Sequence, residues 1–384
     1  MKTPLVSICL PNLNNRRFLE PRMDSLLSQT LTDWELVIVD NYSDDGAWEY
    51  FQTYKSDPRI RLSQAPRAGM YANWNNCLRQ ARGEYIYVAT SDDTCEPDLL
   101  EKMVAALRAA QTADSRPQTA DFLGGEASGP DDAEQGLQSA VCGLQSGLPA
   151  DIAVCNFDYI DENGAIIAPP LPPAGAFYGD DRYRAHRRSG YLEFLVHLLA
   201  GTSWTTMTAV VFRSSLLEKT GLFRADVPGA LADRLWAYKS ALHSDTIVVP
   251  ETLATWRQHS AQGSAPLKGT RTLQDTRNRR ALWRAIVETV DECIPLLPSS
   301  WQNVPELRDK LLWSERRHYY DLYHLNRTCV RHSPRKFIDG AWKAAVLETG
   351  YLARRLFCLL AWERDAGILE EKFLKRLLND LNVS

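Results

Sequence analysis

The 384-residue sequence predicts an α/β fold: a doubly wound, mostly parallel sheet flanked by helices, with a helical C-terminal extension. Strand-like and helix-like runs alternate through the first hundred residues with short connections, which argues for a largely parallel sheet. The run Tyr85-Ile86-Tyr87-Val88-Ala89 is rich in aromatic and β-branched residues, as a buried strand is. From about Pro266 onward the pattern is helical throughout.

In chain order, "LVSICLP" (5–11), "WELVIVD" (34–40), "IRLSQ" (60–64) and "EYIYVAT" (84–90) read as strands. Between them "PRMDSLLSQ", "GAWEYFQTYK" and "MYANWNNCLRQA" have helical spacing, with Met23, Leu26 and Leu27, or Trp74, Cys77 and Leu78, on one face. "PDLLEKMVAALRAA" is a helix opened by Pro97. Residues 111–150 are rich in Gly, Ala, Ser, Gln and Asp and poor in aromatics, so they bury too little apolar surface to offset their ordering entropy and read as a mobile acidic insertion. Order resumes with "DIAVCNFDYIDENG", a strand and polar turn. "GYLEFLVHLL" is a helix, "TMTAVVFRSSLL" a strand running into a helix, "DRLWAYKSALHS" a helix, and "TIVVPETLATWRQHSAQGS" a strand and loop. The expected organisation is 1–110, 111–150, 151–264 and 265–384.

Composition, 45% hydrophobic and 24% charged, is that of a globular protein. No run reaches the roughly 18 apolar residues of a membrane span. The apolar stretch after Met1-Lys2-Thr3 is cut by Pro11, too early for a signal peptide, so a cytoplasmic location is expected. The eight cysteines form no C-x-x-C pair, which argues against a zinc site or a disulfide framework. The net charge of −4 hides an asymmetry: from Ala265 onward 21 Lys and Arg stand against 15 Asp and Glu, leaving −10 for the part before it. The basic helical region, with "TRNRRALWRAIVETV", "LRDKLLWSERRHYYDLYHL" and "GAWKAAVLETGYLARRLFCLLAWE", could pack on the first part, form a dimer contact, or lie at the inner face of a membrane. No nucleic-acid partner is expected.

The strand at 84–90 ends in "TSDD". Adjacent carboxylates repel unless something positive lies beside them, and the C-terminal edge of such a sheet is where ligands bind, so a divalent cation is one answer to Asp92 and Asp93 and a capping or turn role another.

Four segments, "VSICLPNLNNRRFL", "LSQTLTDWELVIVDNYSDDG", "AGMYANWNNCLRQARGEYIYVATSDD" and "TGLFRADVPGALADRLWAYKSAL", together resemble the family-2 glycosyltransferases over roughly residues 4–264, apart from the insertion. The resemblance implies the GT-A fold and inverting transfer from a nucleotide-diphosphate sugar, UDP or dTDP favoured, to a glycan or lipid-linked glycan hydroxyl in bacterial-type surface polysaccharide assembly. It places Pro11, Asn12 and Asn14 along the nucleotide and Asp40 on the base. Arg67 and Gly69 fall near the phosphates, followed by Asn73, Ser91 and Asp92. Mg²⁺ or Mn²⁺ would be held by Asp92, Asp93 and His259, with Arg257 on phosphate. The family's acidic signature usually reads Asp-x-Asp; here Thr90 takes its first position. The segment around Ala232 and Asp233 matches the one ending in the catalytic base, so Asp233 is the expected base, Asp226 the reserve, and Trp204 an acceptor contact. Two alternatives stay open: a catalytically inactive binding or scaffold subunit, and a sugar-nucleotidyltransferase, although "PNLNNRRFL" lacks the glycines that such enzymes carry after the first strand.

Overall fold

The computed structural model describes residues 3–114, 146–167, 183–200, 204, 206–227, 232–259 and 273–312. The chain divides into two compact units, Met1–Ala265 and Pro266–Ser384.

The first unit holds strands β1 (Val6–Asn12), β2 (Trp34–Asp40), β3 (Ile60–Gln64), β4 (Tyr85–Val88), β5 (Ala150–Ile160), β6 (His186–Arg188), β7 (Val210–Arg213) and β8 (Asp245–Arg257). Its helices are α1 (Leu19–Leu27), α2 (Ala47–Gln52), α3 (Met70–Gln80), α4 (Leu99–Asp114), α5 (Gly190–Ala200), α6 (Leu216–Thr220) and α7 (Ala232–Ala241). One sheet contains all eight strands in the order β3-β2-β1-β4-β7-β5-β8-β6. The pairs β1–β2, β1–β4, β2–β3 and β5–β8 are parallel, while β4–β7, β5–β7 and β6–β8 are antiparallel.

Every residue of β1 and β2 is buried, and their apolar runs are continuous because helices cover both faces of a parallel sheet. Leu10, Leu36, Ile38 and Tyr87 pack with Met23 and Leu26 of α1 and with Leu99, Leu100 and Met103 of α4. Each such aliphatic side chain, fully buried, contributes about 1.5–3 kcal/mol. The register from Val6↔Trp34 to Asn12↔Asp40 delivers Asn12 and Asp40 to the same edge. The chain steps from β1 outward to β2 and β3, then returns to place β4 on the other side of β1. Loops leaving β1 and β4 therefore diverge and open a crevice at the strands' C-terminal ends.

Three boundaries differ from the sequence reading. The strand expected at 84–90 stops at Val88, because Thr90 and Asp93 fold the following residues into a turn. The start of "TMTAVV" is a 3-10 turn, Met207–Ala209, whose Thr208 amide donates to the Thr206 hydroxyl, and β7 begins only at Val210. Strand β6, His-Arg-Arg, has no apolar pattern to announce it and forms an edge by pairing with β8.

Of the expected insertion, residues 115–145 lie outside the described residues. Its flanks are joined by Arg187, which donates to the carboxylate of Asp114, to the Leu148 carbonyl (2.6 Å) and to Asp245 Oδ2 (2.7 Å). Asp245 also accepts the Ser146 hydroxyl and the Gly190 amide (2.8 Å). Gly190 has no substitute here: a Cβ would stand 2.0 Å from the Ala241 carbonyl oxygen.

The second unit, taken by itself, contains α8 (Leu273–Cys293), α9 (Ser299–Gln302) and α10 (Leu307–Leu312). Leu282, Ile286 and Val290 of α8 and Leu307 and Leu311 of α10 are buried, and Arg308 bridges to Asp291. The segments expected as helices from residue 313 onward lie outside the described residues. Among the described residues no helix is long and apolar enough to cross a membrane.

Because one arginine joins both flanks, replacing residues 115–145 by a short Gly-Ser linker is expected to leave the thermal midpoint within a few degrees of wild type. Arg187→Ala, which strips charged hydrogen bonds from the buried Asp245, should cost about 2 kcal/mol in urea denaturation.

Candidate functional site

The crevice is built first from the end of β1. Asn12, buried, donates through Nδ2 to Asp40 Oδ1 (2.8 Å) and to the Ser43 hydroxyl (3.1 Å). Asp40 is fully enclosed and also accepts the Ser43 amide (2.8 Å) and hydroxyl (2.6 Å), so its carboxylate closes the loop after β2. Asn73, on α3, donates to the carbonyls of Asn12 (3.2 Å) and Val39 (2.9 Å). Among the described residues, Asn12 Oδ1 and Asn73 Oδ1 have no donor. Two buried acceptors left open, one at the end of β1 and one on α3, are an unusual cost inside a folded protein.

The loops after β1 and β2 are fastened together. Asn14 donates to Asp44 Oδ1 (2.8 Å) and receives the Asp44 amide (3.0 Å). Arg67 pairs with Asp44 Oδ2 (2.9 Å) and donates to the carbonyls of Asn41 and Tyr42, so its guanidinium is already engaged at the loop rim. Pro11 is the residue before Asn12 in β1, and Ser91 accepts Asn15 Nδ2 (2.7 Å). Gly69 starts α3 at φ +104°, a conformation that L side chains rarely adopt.

Asp92 and Asp93 point apart. Asp92 Oδ2 lies 3.0 Å from His259 Nε2. Arg17 donates to Nδ1 of the same ring (3.3 Å), so the imidazole proton faces Asp92. Asp93 is 1% exposed and takes the Thr90 hydroxyl, the Thr208 hydroxyl (2.6 Å) and the Arg257 amide (2.8 Å). Burial, and then the charge of Asp92, raise its pKa to about 6. The expected third metal ligand is thus turned into the protein, where its oxygens are occupied. Arg257, expected on phosphate, is likewise committed: it donates to the carbonyls of Asp92 (2.6 Å) and Asp161 (2.8 Å), with its guanidinium 4.8 Å over the Phe18 ring. Burial lowers its pKa, against the pull of Asp93 and Asp92.

Among the described residues no cluster of three or more His, Cys, Asp or Glu is poised around one point. Asp92 is the member of its pair with His259 that keeps exposure, 19% of its side chain against none for His259, and hydrated Mg²⁺ commonly takes only one or two carboxylates beside substrate phosphates.

Asp233 lies in the first turn of α7, after Ala232, so it is not the residue preceding the helix. Its Oδ1 accepts the Tyr71 hydroxyl (2.9 Å) and the Arg234 amide (2.8 Å). Burial raises its pKa, with Tyr71's hydrogen bond acting in the opposite direction. Asp226, the reserve, sits on an exposed turn paired with Arg224 (2.6 Å), which holds its pKa low. Sequence reasoning missed Tyr71, whose place beside Trp74 and Leu78 on one helical face reads as core.

Trp204 requires a correction. It is 4% exposed, edge-on to His197 (4.8 Å between ring centroids, 82°) and packed on Trp236 (6.0 Å), so no face is open to a sugar. A Trp beside a small polar loop reads alike as a platform or as core, and here the aromatic neighbours that decide come from distant sequence.

With this geometry in hand, residues 7–126 match the family described as Glycosyl transferase family 2. The putative teichuronic acid biosynthesis glycosyltransferase TuaG of Bacillus subtilis is 37% identical over 103 residues, covering 26% of this chain and 41% of its own, so the chain spans less than half of that relative. The similarity extends further with the uncharacterized protein MT1568 of Mycobacterium tuberculosis, 25% identical over 305 residues, 79% of this chain and 81% of the other. Among solved structures, residues 1–349 of S. aureus TarS superpose with a TM-score of 0.50 at 14% identity, covering 86% of this chain and 91% of that one. The fold is GT-A.

The neighbour of Trp204 carries a pH dependence. His197 is fully buried, and burial lowers its pKa from 6.5 to about 4 against the pull of Glu193. Between those values the unfolded chain binds more protons than the folded one, so stability falls as pH drops through that window, by up to about 3 kcal/mol. Urea midpoints at pH 7, 5.5 and 4.5 should fall steeply for wild type and less for His197→Gln.

Proposed function

We propose that this chain, a glycosyltransferase of family 2 over residues 7–126, transfers a sugar with inversion from a nucleotide-diphosphate donor, UDP or dTDP, to a hydroxyl of a glycan or lipid-linked glycan in surface polysaccharide assembly. One observation carries the reading: within a single turn of α3, Asn73 touches the end of β1 while Tyr71 holds Asp233. A carboxylate suited to proton abstraction therefore belongs to the edge where a nucleotide rests. The name of the relative TuaG supports the polysaccharide context.

In this reading residues 1–110 take the donor and 151–264 the acceptor. Asn12 and Asn73, both buried, hold the strand ends beside which the nucleoside lies, with Asp40 fixing Asn12. Pro11, Asn14 and Ser91 shape the floor, and Arg67 and Gly69 border the diphosphate. Asp92 would hold Mg²⁺ or Mn²⁺, with His259 beside it. The ion, when bound, neutralises the diphosphate leaving group. Asp233 acts through Oδ2, the oxygen that neither Tyr71 nor the Arg234 amide holds. It takes the acceptor's hydroxyl proton as that oxygen bonds to the anomeric carbon and the bond to diphosphate breaks on the opposite face. The raised pKa of Asp233 suits it to accept a proton.

Thermal-shift measurements with UDP, dTDP and GDP, with and without Mn²⁺, test the donor half. A nucleotide at about 100 times its Kd stabilises the fold by about 2.7 kcal/mol. Asp92→Ala should lose the Mn²⁺-dependent part of that gain, and an unchanged response would move the metal elsewhere. For the acceptor half, Asp233→Asn should keep nucleotide affinity while turnover drops about 10²- to 10⁴-fold. Product formation near wild type would remove Asp233 as the base.

A further inference from the structure

We infer that Tyr71 is a positioning residue for the reaction, one that fixes which oxygen of Asp233 receives the acceptor's proton and links that oxygen to the donor edge. The inference rests on the reading of Asp233 as base.

Tyr71 is 3% exposed, and its ring stacks on Phe223 (6.0 Å, 26°) and meets Trp74 edge-on (5.1 Å, 69°). Packed on two sides, the ring cannot swing, so the hydroxyl has one place to donate: Asp233 Oδ1, 2.9 Å away. The Arg234 amide converges on the same oxygen. Two donors, the Tyr71 hydroxyl and the Arg234 amide, meet at Oδ1 and make the carboxylate asymmetric. The held oxygen carries the hydrogen bonds and the other keeps its lone pairs for a proton.

The mounting of Tyr71 is equally definite. Asn75, one turn on, donates to the Phe223 carbonyl (2.8 Å) and accepts the Phe223 amide (3.1 Å), clasping the ring that Tyr71 stacks on. Phe223 also packs on Trp236 of α7 (5.2 Å), the helix that carries Asp233. On its other side α3 is fixed by Asn73 to the ends of β1 and β2. A single helix thus holds both the strand ends bordering the nucleotide and the base, so a shift of α3 on donor binding moves both.

Several charged groups lie around α7. Arg234 lies on α7 itself and donates to Tyr238. From α5, Glu193 and His197 face each other, and His197 feels Arg234. On α6 Lys219 acts on His243. Tyr71 and Arg234 act on Asp233, and Tyr71's hydrogen bond favours the ionised carboxylate.

The test uses the whole chain labelled with ¹³C-carboxyl aspartate, the Asp233 resonance being assigned by its loss in Asp233→Asn. Tyr71→Phe keeps the packed ring and removes the donor, so the Asp233 titration should move to higher pH. Site-specific 3-fluorotyrosine at position 71, a stronger donor of nearly the same size, should move it to lower pH. It also serves as the second variant if Tyr71→Phe does not fold. In turnover, Tyr71→Phe should lower kcat about tenfold or more, with donor KM nearly unchanged and the acid limb of the pH profile displaced upward. A merely structural tyrosine would leave the titration where it is, and an unmoved resonance in both variants overturns the inference. Asp233→Asn separates the two levels. Full activity there removes the base, and with it the positioning role. Lost activity there with an unmoved titration leaves the base standing and removes Tyr71 alone.

Discussion

A carboxylate taken out of water must find donors, and the burial of Asp93 organises the centre of this protein. Its donors come from three places: Thr90 in the turn after β4, Thr208 in the 3-10 turn before β7, and the backbone of Arg257 at the end of β8. Satisfying one side chain therefore ties the parallel half of the sheet to the mixed half. The seam continues outward with the Arg257 guanidinium on the Asp92 carbonyl, Thr94 on Thr255 (2.8 Å) and the bridge between Cys95 and Ala254. Because Asp93 turns in, its neighbour Asp92 turns toward His259. The accessible carboxylate is positioned by the inaccessible one.

The same constraint gives Thr90 a physical reason. An acidic residue there would set a third carboxylate against Asp93, whose pKa burial and Asp92 already raise to about 6. A hydroxyl instead contributes a donor to Asp93 and lies 2.7 Å from the hydroxyl of Thr208. The departure from Asp-x-Asp and the second aspartate at 93 thus belong together: the acid is displaced inward, and the position it vacates becomes its hydrogen-bond partner.

What the sequence made legible follows from how local the causes are. β1, β2 and β4 were readable because full burial on both faces writes a continuous apolar run, and their order gave the edge where Asn12, Asp40 and Asp92 stand. The direction of Asp93, the enclosure of Asp40 and the commitment of Arg257 were not readable. Each depends on a partner more than a hundred residues away, or on a loop whose turn the polar residues themselves create. Trp204 failed for a related reason, since His197 and Trp236 enclose it from two separate helices. Tyr71 hid in plain helical periodicity, where the ring announces core and the hydroxyl announces nothing.

The donor edge is held by a different kind of force from the core beneath it. Asn14 (φ 54°) and Tyr42 (φ 53°) adopt left-handed backbone there without being glycine, and Gly69 (φ +104°) opens α3. A bulky residue such as Tyr42 costs on the order of 1–3 kcal/mol in that conformation and persists only where its surroundings over-determine it. The reciprocal Asn14–Asp44 bonds, the Arg67 bonds to the carbonyls of Asn41 and Tyr42, and Asn41 Nδ2 on the carbonyls of Ala65 and Pro66 supply that constraint. Most of these groups are exposed or half-buried, so they add little to global stability compared with the apolar packing of β1 and β2. Their effect is to fix in advance the shape of a surface that a ligand would otherwise have to order, which lowers the entropy cost of binding rather than of folding.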